Sequence, residues 1–538
     1  MREAAILGEE SSLSLMLRSL QTQASVAIRC AVLAVVGFLS LCATAGEDPG
    51  QAFFSSTEPL QVEITVSSND FSTLNRRTRN YVPVLVRCQT NAPVRAGLRL
   101  RGFSSFQPIE RKPAFALKFN DPNAEKQFGG LSKLLFNNCV ADSCCMREHV
   151  ANALFREAGV PAARIRPVRV RINGRDIGIC LAVEAMNKDF LRHNFGNVSG
   201  NLYEGTTRDI DQPLELDNGS DSSGNDLRDL LTAAREPNPT ERLKKMNAIL
   251  DIDRFLRFAA VQVILGHSDG YLGNRNNYRI YHDSSSGQMV FIPHGLDTAF
   301  MQGWTVVPTN NIVMQALYSI PEVRRRYVAT CSLLMSNVWQ SPLLTDQIER
   351  AQRSVNDLAD GPTVTQQSSS CVDFLTSQLI GRRLEVMAWL SEPEPKLLSL
   401  ALAQSTTLTN WTSFIRFGTP SLSIETDYNG RFLRVDASTP AAGGWRSRVV
   451  VPEGDYTFSC RAMAKRRISS DGMIPAFLFR IAGELRGVAL ARMDEWESLQ
   501  YSFSAPPDGR VVEFLCELQT GKGEIRIDLA SVKVTRNR

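Results

Sequence analysis

The sequence predicts an α+β chain followed by an all-β sandwich, and three stretches carry that prediction. From about residue 60 to 120 apolar and polar side chains alternate. From Asp226 to about residue 392 apolar side chains recur at spacings of three and four. Beyond Leu400 short alternating segments return, separated by Gly and Pro turns.

Taken in order, "QVEITV", "YVPVLVRCQ", "AGLRLRGFSS" and "PAFALKFN" read as half-buried strands, the last ending at the turn-forming Asn120-Asp121-Pro122. "SCCMREHVANALFREAGV" reads as a helix with Ser143 as a plausible cap and Gly159 as its stop. "RIRPVRVRINGRDIGICLAVEAM" reads as a hairpin turning at Asn173-Gly174. Helices follow at "DLRDLLTAARE", "PTERLKKMNAIL" and "DIDRFLRFAAVQVILG", then a hairpin over "NYRIYHDSSSGQMVFIPHGLD", then two more helices. The prolines of "SEPEP" mark a boundary. The expected organisation is a leader over 1–45, linkers over 46–59 and 393–402, a main domain over 60–392 and a sandwich over 403–538.

A hydrophobic share of 43% and a charged share of 22% belong to an ordinary globular chain. With 60 basic against 56 acidic residues and no basic block, a nucleic-acid partner is excluded as an expectation. The run "AVLAVVGFLSLCATA" after Arg29 reads as a signal peptide cut after Ala45, too short to span a membrane. The protein is therefore expected outside the cytoplasm, secreted or in the periplasm or cell envelope, with no spanning helix once the leader is cut. Leu41 disfavours a lipoprotein cut at Cys42. The cysteines remaining after the leader are odd in number, which argues against a repeated disulfide framework. Cys139, Cys144 and Cys145 suggest one local bridge rather than a zinc site.

Chemistry concentrates in "GHSDGYLGNRNNYRIYHD". Alone, Asp269 between glycines reads as an Asx turn. Asn274, Asn276 and Asn277 follow it, amide oxygens suit Mg²⁺, and Asp297 returns after the hairpin. An acid, an amide and a later acid form the layout that phosphoryl transfer uses. Lys118 on a strand and Glu148 on the next helix would supply a phosphate-binding cation and its acid.

These stretches in series, with "LRLRGFSS", "KPAFALKFN", "GNLYEG" and "FIPHGLDTAF", resemble the CotH family, the spore-coat-protein-H type of atypical secreted kinase. The resemblance spans residues 60–392. It implies a two-lobed, protein-kinase-like fold that binds ATP with Mg²⁺ or Mn²⁺ and phosphorylates Ser or Thr of coat or envelope proteins. It assigns Asp269 as the catalytic acid, Asn277 and Asp297 to the metal, and Lys118, Glu148, Arg101 and Glu184 to the nucleotide.

Two departures stand out. The family's "RGNS" is Arg101-Gly102-Phe103-Ser104 here, and its Pro-Trp-Asp-Leu-Asp is Pro293-His294-Gly295-Leu296-Asp297. The more regular metal-binding acid thus falls on Gly295, and Asp297 lies roughly 6–7 Å along the chain. The alternative function is a catalytically impaired nucleotide-binding scaffold. The C-terminal portion is similar to jelly-roll carbohydrate-binding modules, so a polysaccharide is a further expected partner. Trp411, Trp445 and Trp496 are its candidate stacking faces, although aromatic residues in a sandwich more often belong to the core.

Overall fold

The computed structural model describes residues 48–538 apart from 75–79, 104, 120–121, 123–127, 143, 301–310, 340–341, 360–361, 429, 466–476, 483–486, 506–508 and 520. The leader 1–45, Ser104, the Asn120-Asp121 turn and the cap Ser143 lie outside the described residues. Ala52–Arg538 is one compact unit.

Its first part is a closed barrel, ordered β1-β2-β3-β4-β5-β7-β6. The strands are β1 (Gln61–Val66), β2 (Val82–Cys88), β3 (Val94–Arg101), β4 (Ala114–Lys118), β5 (Lys133–Asn137), β6 (Ile165–Ile172) and β7 (Arg175–Glu184). Strict alternation puts Val84, Val86 and Leu98 inside with Phe115 and Phe136, whose rings stack at 4.6 Å. The β6–β7 hairpin turns at Asn173 and Gly174, both at positive φ, as the Asn-Gly pair predicts. Parallel pairing of β1 with β6, Gln61 opposite Arg169, closes the barrel.

The barrel's outer face, including Leu135, Leu181 and Val183, packs into a second core with the helix Arg147–Glu157 and the helices that follow. This helical part carries a four-stranded sheet ordered β11-β10-β8-β9, from β8 (Leu202–Gly205), β9 (Glu215–Asn218), β10 (Tyr278–Asp283) and β11 (Gln288–Pro293). Cys139 pairs with Cys145 across a sequence separation of 6, the local bridge that the spacing suggests. Cys144 pairs with Cys371 on the helix Pro362–Leu390, across a separation of 227.

The C-terminal part is a sandwich. One sheet joins β12 (Lys396–Leu397), β14 (Thr412–Phe417), β17 (Ala442–Val451), β19 (Phe477–Ile481), β20 (Val488–Ala489) and β22 (Arg510–Leu518). The other joins β13 (Ser405–Thr407), β15 (Ser421–Asp427), β16 (Gly430–Ala437), β18 (Gly454–Lys465), β21 (Glu497–Ala505), β23 (Gly523–Asp528) and β24 (Lys533–Arg536). The expected linker 393–402 is instead partly sheet, because β12 pairs in parallel with Val449 and Val450. Just before it, Glu392 accepts Arg446 Nε at 2.8 Å and pairs with Arg448, whose guanidinium lies 5.7 Å from the Trp389 ring. A carboxylate shared by two buried arginines fixes the sandwich against the end of the long helix, so the join is a packed seam. Trp411 and Trp445 are core residues whose indole N–H groups donate to Leu408 O and Arg434 O. Trp496 alone of the three is 36% exposed. Among the described residues no helix is long and apolar enough to cross a membrane.

Candidate active site

The helix Ile252–Ile264, capped by Asp251 and buried along most of its length, delivers the loop that carries Asp269. Gln262, fully buried, accepts Leu272 N at 3.1 Å and ties the loop back to the helix. Gly273 is required here, since a Cβ would lie 1.8 Å from Ser268 O. Asn277 sits at φ 50 and turns the chain into β10.

Three amides converge on the Asp269 carboxyl. Asn277 Nδ2 donates at 2.8 Å, Asn274 Nδ2 at 3.0 Å and Asn276 Nδ2 at 3.4 Å. The loop is therefore pre-set, with the acid held in one orientation. His294 N donates to Asn277 O at 2.9 Å, which brings the end of β11 alongside. Burial, followed by Arg279, pushes the His294 imidazole down to about 3, so it is neutral.

Gly295 follows at φ 56 and ψ 56, and a Cβ there would lie 2.6 Å from Asn277 Oδ1. The position where the family carries an acid is thus closed by the Asn277 amide. Asp297, in the 3₁₀ turn Leu296–Thr298, accepts the backbone N–H groups of its own turn. Burial, and then repulsion by Asp269, raises its carboxyl. Oxygen donors of the right hardness for Mg²⁺ are present in Asp269, Asn277 and Asp297, but the clamp is one acid short. No cluster of three or more His, Cys, Asp or Glu residues able to hold a metal exists among the described residues. The expected ligands Asn277 and Asp297 would offer a metal one amide oxygen and one carboxylate, the position of the motif's other acid being Gly295 here. Gly295→Asp is expected to cost about 1–2 kcal/mol because of its left-handed backbone and the Asn277 contact. Thermal melts test this; an unchanged melting temperature would mean that the Asn277 side chain yields freely.

Glu148 is 3% exposed on the helix Arg147–Glu157 and accepts Asn137 Nδ2 at 2.6 Å. Arg101 is among the groups that act on Glu148, and Lys118, the expected partner, is exposed at the far end of β4, opposite Gly97 and Lys133. The register explains this, because Arg101 lies opposite Ala114 and next to the Asn137 end of the face, four residues from Lys118. Burial, then Asp297, raises Glu148 from 4.5 to about 7. Between those values the folded protein holds a proton that the unfolded chain has released, so stability falls as pH rises through that window. Glu148→Gln, which keeps an acceptor for Asn137, is expected to match wild type in acid and gain about 3 kcal/mol above neutrality. Denaturant unfolding at a series of pH values checks it, and a constant difference between the two proteins would refute it.

A cleft of about 590 Å³ lies between the barrel and the four-stranded sheet, and Arg279, two residues past Asn277 on β10, lines it. Arg99, Arg101, Lys118 and Lys133 line the barrel side, and Glu204, Glu215, Asp217 and Arg279 line the sheet side. Leu135, Ala185 and Met186 give it an apolar end. Glu184, expected at the nucleotide, is 1% exposed and saturated by Arg164, whose Nε and Nη2 donate at 3.0 and 2.6 Å. Its neighbours Ala185 and Met186 face the cleft in its place. Sequence reasoning gives no role to Arg99, Lys133 and Arg279, although Arg99 lies in "LRLRGFSS" and Arg279 in "GHSDGYLGNRNNYRIYHD".

The protein has an α+β architecture with an acid–amide loop and a cation-rich cleft, and comparison supplies the family. A model described as CotH kinase protein matches residues 98–381, more than half of the chain, and the chain belongs to that family. Within it, the inner spore coat protein H of Bacillus subtilis (strain 168) is 21% identical over 206 residues, 35% of this chain and 55% of that protein. The chain thus spans about half the length of that curated relative. Among solved structures, the Helicobacter pylori proinflammatory kinase CtkA aligns with a TM-score of 0.26 and 10% identity, over 51% of this chain and 94% of that one. The CBM22-1 xylan-binding domain from Paenibacillus barcinonensis aligns with a TM-score of 0.19 and 16% identity, over 26% of this chain and 96% of that one. Likeness at those scores says nothing about what this chain binds.

Proposed function

We propose that the cleft binds ATP and that the protein transfers the γ-phosphate to Ser or Thr hydroxyls of envelope or coat proteins outside the cytoplasm. The observation that carries this reading is the Asp269 carboxyl, fixed by three amides, on the loop that leads through Asn277 to Arg279 in the lining of a cleft whose barrel wall is cationic, in a chain of the CotH kinase protein family. The apolar end at Leu135, Ala185 and Met186 suits a base, and the cations suit phosphates. Asp269 orients the acceptor hydroxyl and takes its proton as the oxygen–phosphorus bond forms; the bond to the leaving ADP oxygen breaks. No step is assigned to a divalent ion.

The second reading is a nucleotide-binding scaffold without transfer, favoured by Gly295, where the family's acid is missing. Incubation of the full chain with γ-labelled ATP and Mg²⁺ or Mn²⁺ separates the two. Label in the protein or in an added Ser/Thr protein supports transfer; ATP binding with no label under either metal supports the scaffold. The sandwich is assigned polysaccharide binding through its exposed face, which a pull-down of the full chain on insoluble glycans tests.

A further inference from the structure

The barrel wall of the cleft is a surface of like charge. Strand register places Arg99 and Arg101 of β3 on the same face as Lys118 of β4 and Lys133 of β5. Lys118 and Lys133 stand directly opposite one another, a pairing that costs stability. Burial pushes Lys133 down to about 8, and the cations acting on it, in order, are Arg101, Arg99, Arg279 and Lys118. Glu204 of the facing wall is the carboxylate that acts on Lys133 and Arg101, and it is shared with Arg279. The acids of the cleft sit on the opposite wall, where Glu204 and Asp217 are engaged by Arg279. The barrel wall thus gathers four cations on one face of the cleft, and an incoming polyanion would meet them together.

The other end of the site points the same way. A divalent ion ordinarily neutralises the triphosphate through acids of the chain, and here the acid position is Gly295, closed by Asn277 Oδ1 at 2.6 Å from any Cβ. A triphosphate without its ion carries more negative charge than the complex with Mg²⁺. Arg99 and Arg101 offer planar forks for phosphate oxygens and the two lysines offer point charges.

We infer that in this protein side-chain cations take over the charge balance of the nucleotide, so that the cleft binds nucleoside triphosphates without a divalent metal. The inference rests on the reading that the cleft takes a nucleotide. It holds for either outcome of the transfer assay.

The test is calorimetric titration of the full chain with ATP, once with Mg²⁺ and once with EDTA. Metal-free ATP is expected to bind within about threefold of the magnesium complex, or more tightly. Binding with Mg²⁺ that weakens by more than about thirtyfold in EDTA would overturn the inference and leave the nucleotide reading intact. No binding under either condition would overturn both. Lys133→Gln supplies the second arm: metal-free ATP should bind about tenfold more weakly, adenosine should bind as before, and the melting temperature should rise because repulsion is removed. A residue that only supports the strand would lower the melting temperature on substitution, and an unchanged ATP affinity would sink the assignment.

Discussion

Asp269→Ala should lower phosphoryl transfer by about 10²–10⁴-fold, the usual worth of a positioned acid or base, while ATP affinity stays within about twofold. The split follows from geometry. Asp269 sits on the loop after the helix Ile252–Ile264, held by Asn274, Asn276 and Asn277, and it does not line the cleft. The proposed nucleotide contacts are instead Arg99, Arg101, Lys118 and Lys133, which line the cleft on strands that the substitution does not touch. Stability should change little, because Asp269 is only half-buried and water can replace it for three amides. Transfer that survives Asp269→Ala would remove the kinase reading, whereas nucleotide affinity that collapses with it would move the binding site toward the loop. Steady-state transfer and calorimetry on the same preparation read both quantities.

What the sequence made legible depended on whether the information was local. Alternation around Val84, Val86 and Leu98 marks strands, because a pleated ribbon puts every second side chain on one face. Asn173-Gly174 marks its turn because left-handed backbone is cheap for those residues. The Asp269 loop was legible through the whole family series, not through its own composition. Closure of the barrel was not legible, since Gln61 meets Arg169 across a hundred residues with no trace in either strand's pattern. The same reason hid the cleft. Lys133 and Arg279 become neighbours only once β3, β4, β5 and β10 are assembled, and no spacing rule announces that. Glu184 shows the converse limit, since the motif that marks it carries no sign that Arg164, twenty residues earlier, binds its carboxylate. Glu148 shows a subtler one. The acid lies on a helix as the sequence indicates, but how near each strand cation comes to it depends on register, which sets Arg101 four residues nearer the Asn137 end than Lys118.

Cysteine pairing divides along that same line and gives the largest expected change in stability. The Cys139–Cys145 bridge closes a separation of 6, and Cys144–Cys371 closes one of 227. Loop-closure entropy grows with the logarithm of loop length, so the long bridge should contribute about 5 kcal/mol and the short one about 2 kcal/mol. The double variant Cys144→Ser with Cys371→Ser, which leaves no orphan thiol to reshuffle, should therefore lose roughly twice what Cys139→Ser with Cys145→Ser loses. Position reinforces the difference. Cys371 ties the loop ahead of the helix Arg147–Glu157, which carries Glu148, to the long helix Pro362–Leu390. The far end of that helix holds Trp389, and Glu392 just beyond it binds Arg446 and Arg448 of the sandwich. One covalent link thus steadies both the acid beside the active-site loop and the helix that anchors the C-terminal domain. Denaturant unfolding of both double variants, each compared with oxidised wild type, measures the ratio. Equal losses would mean that local strain relief, not chain entropy, sets the worth of these bridges, and a larger loss from the short bridge would place the anchor at Cys139 rather than at Cys371.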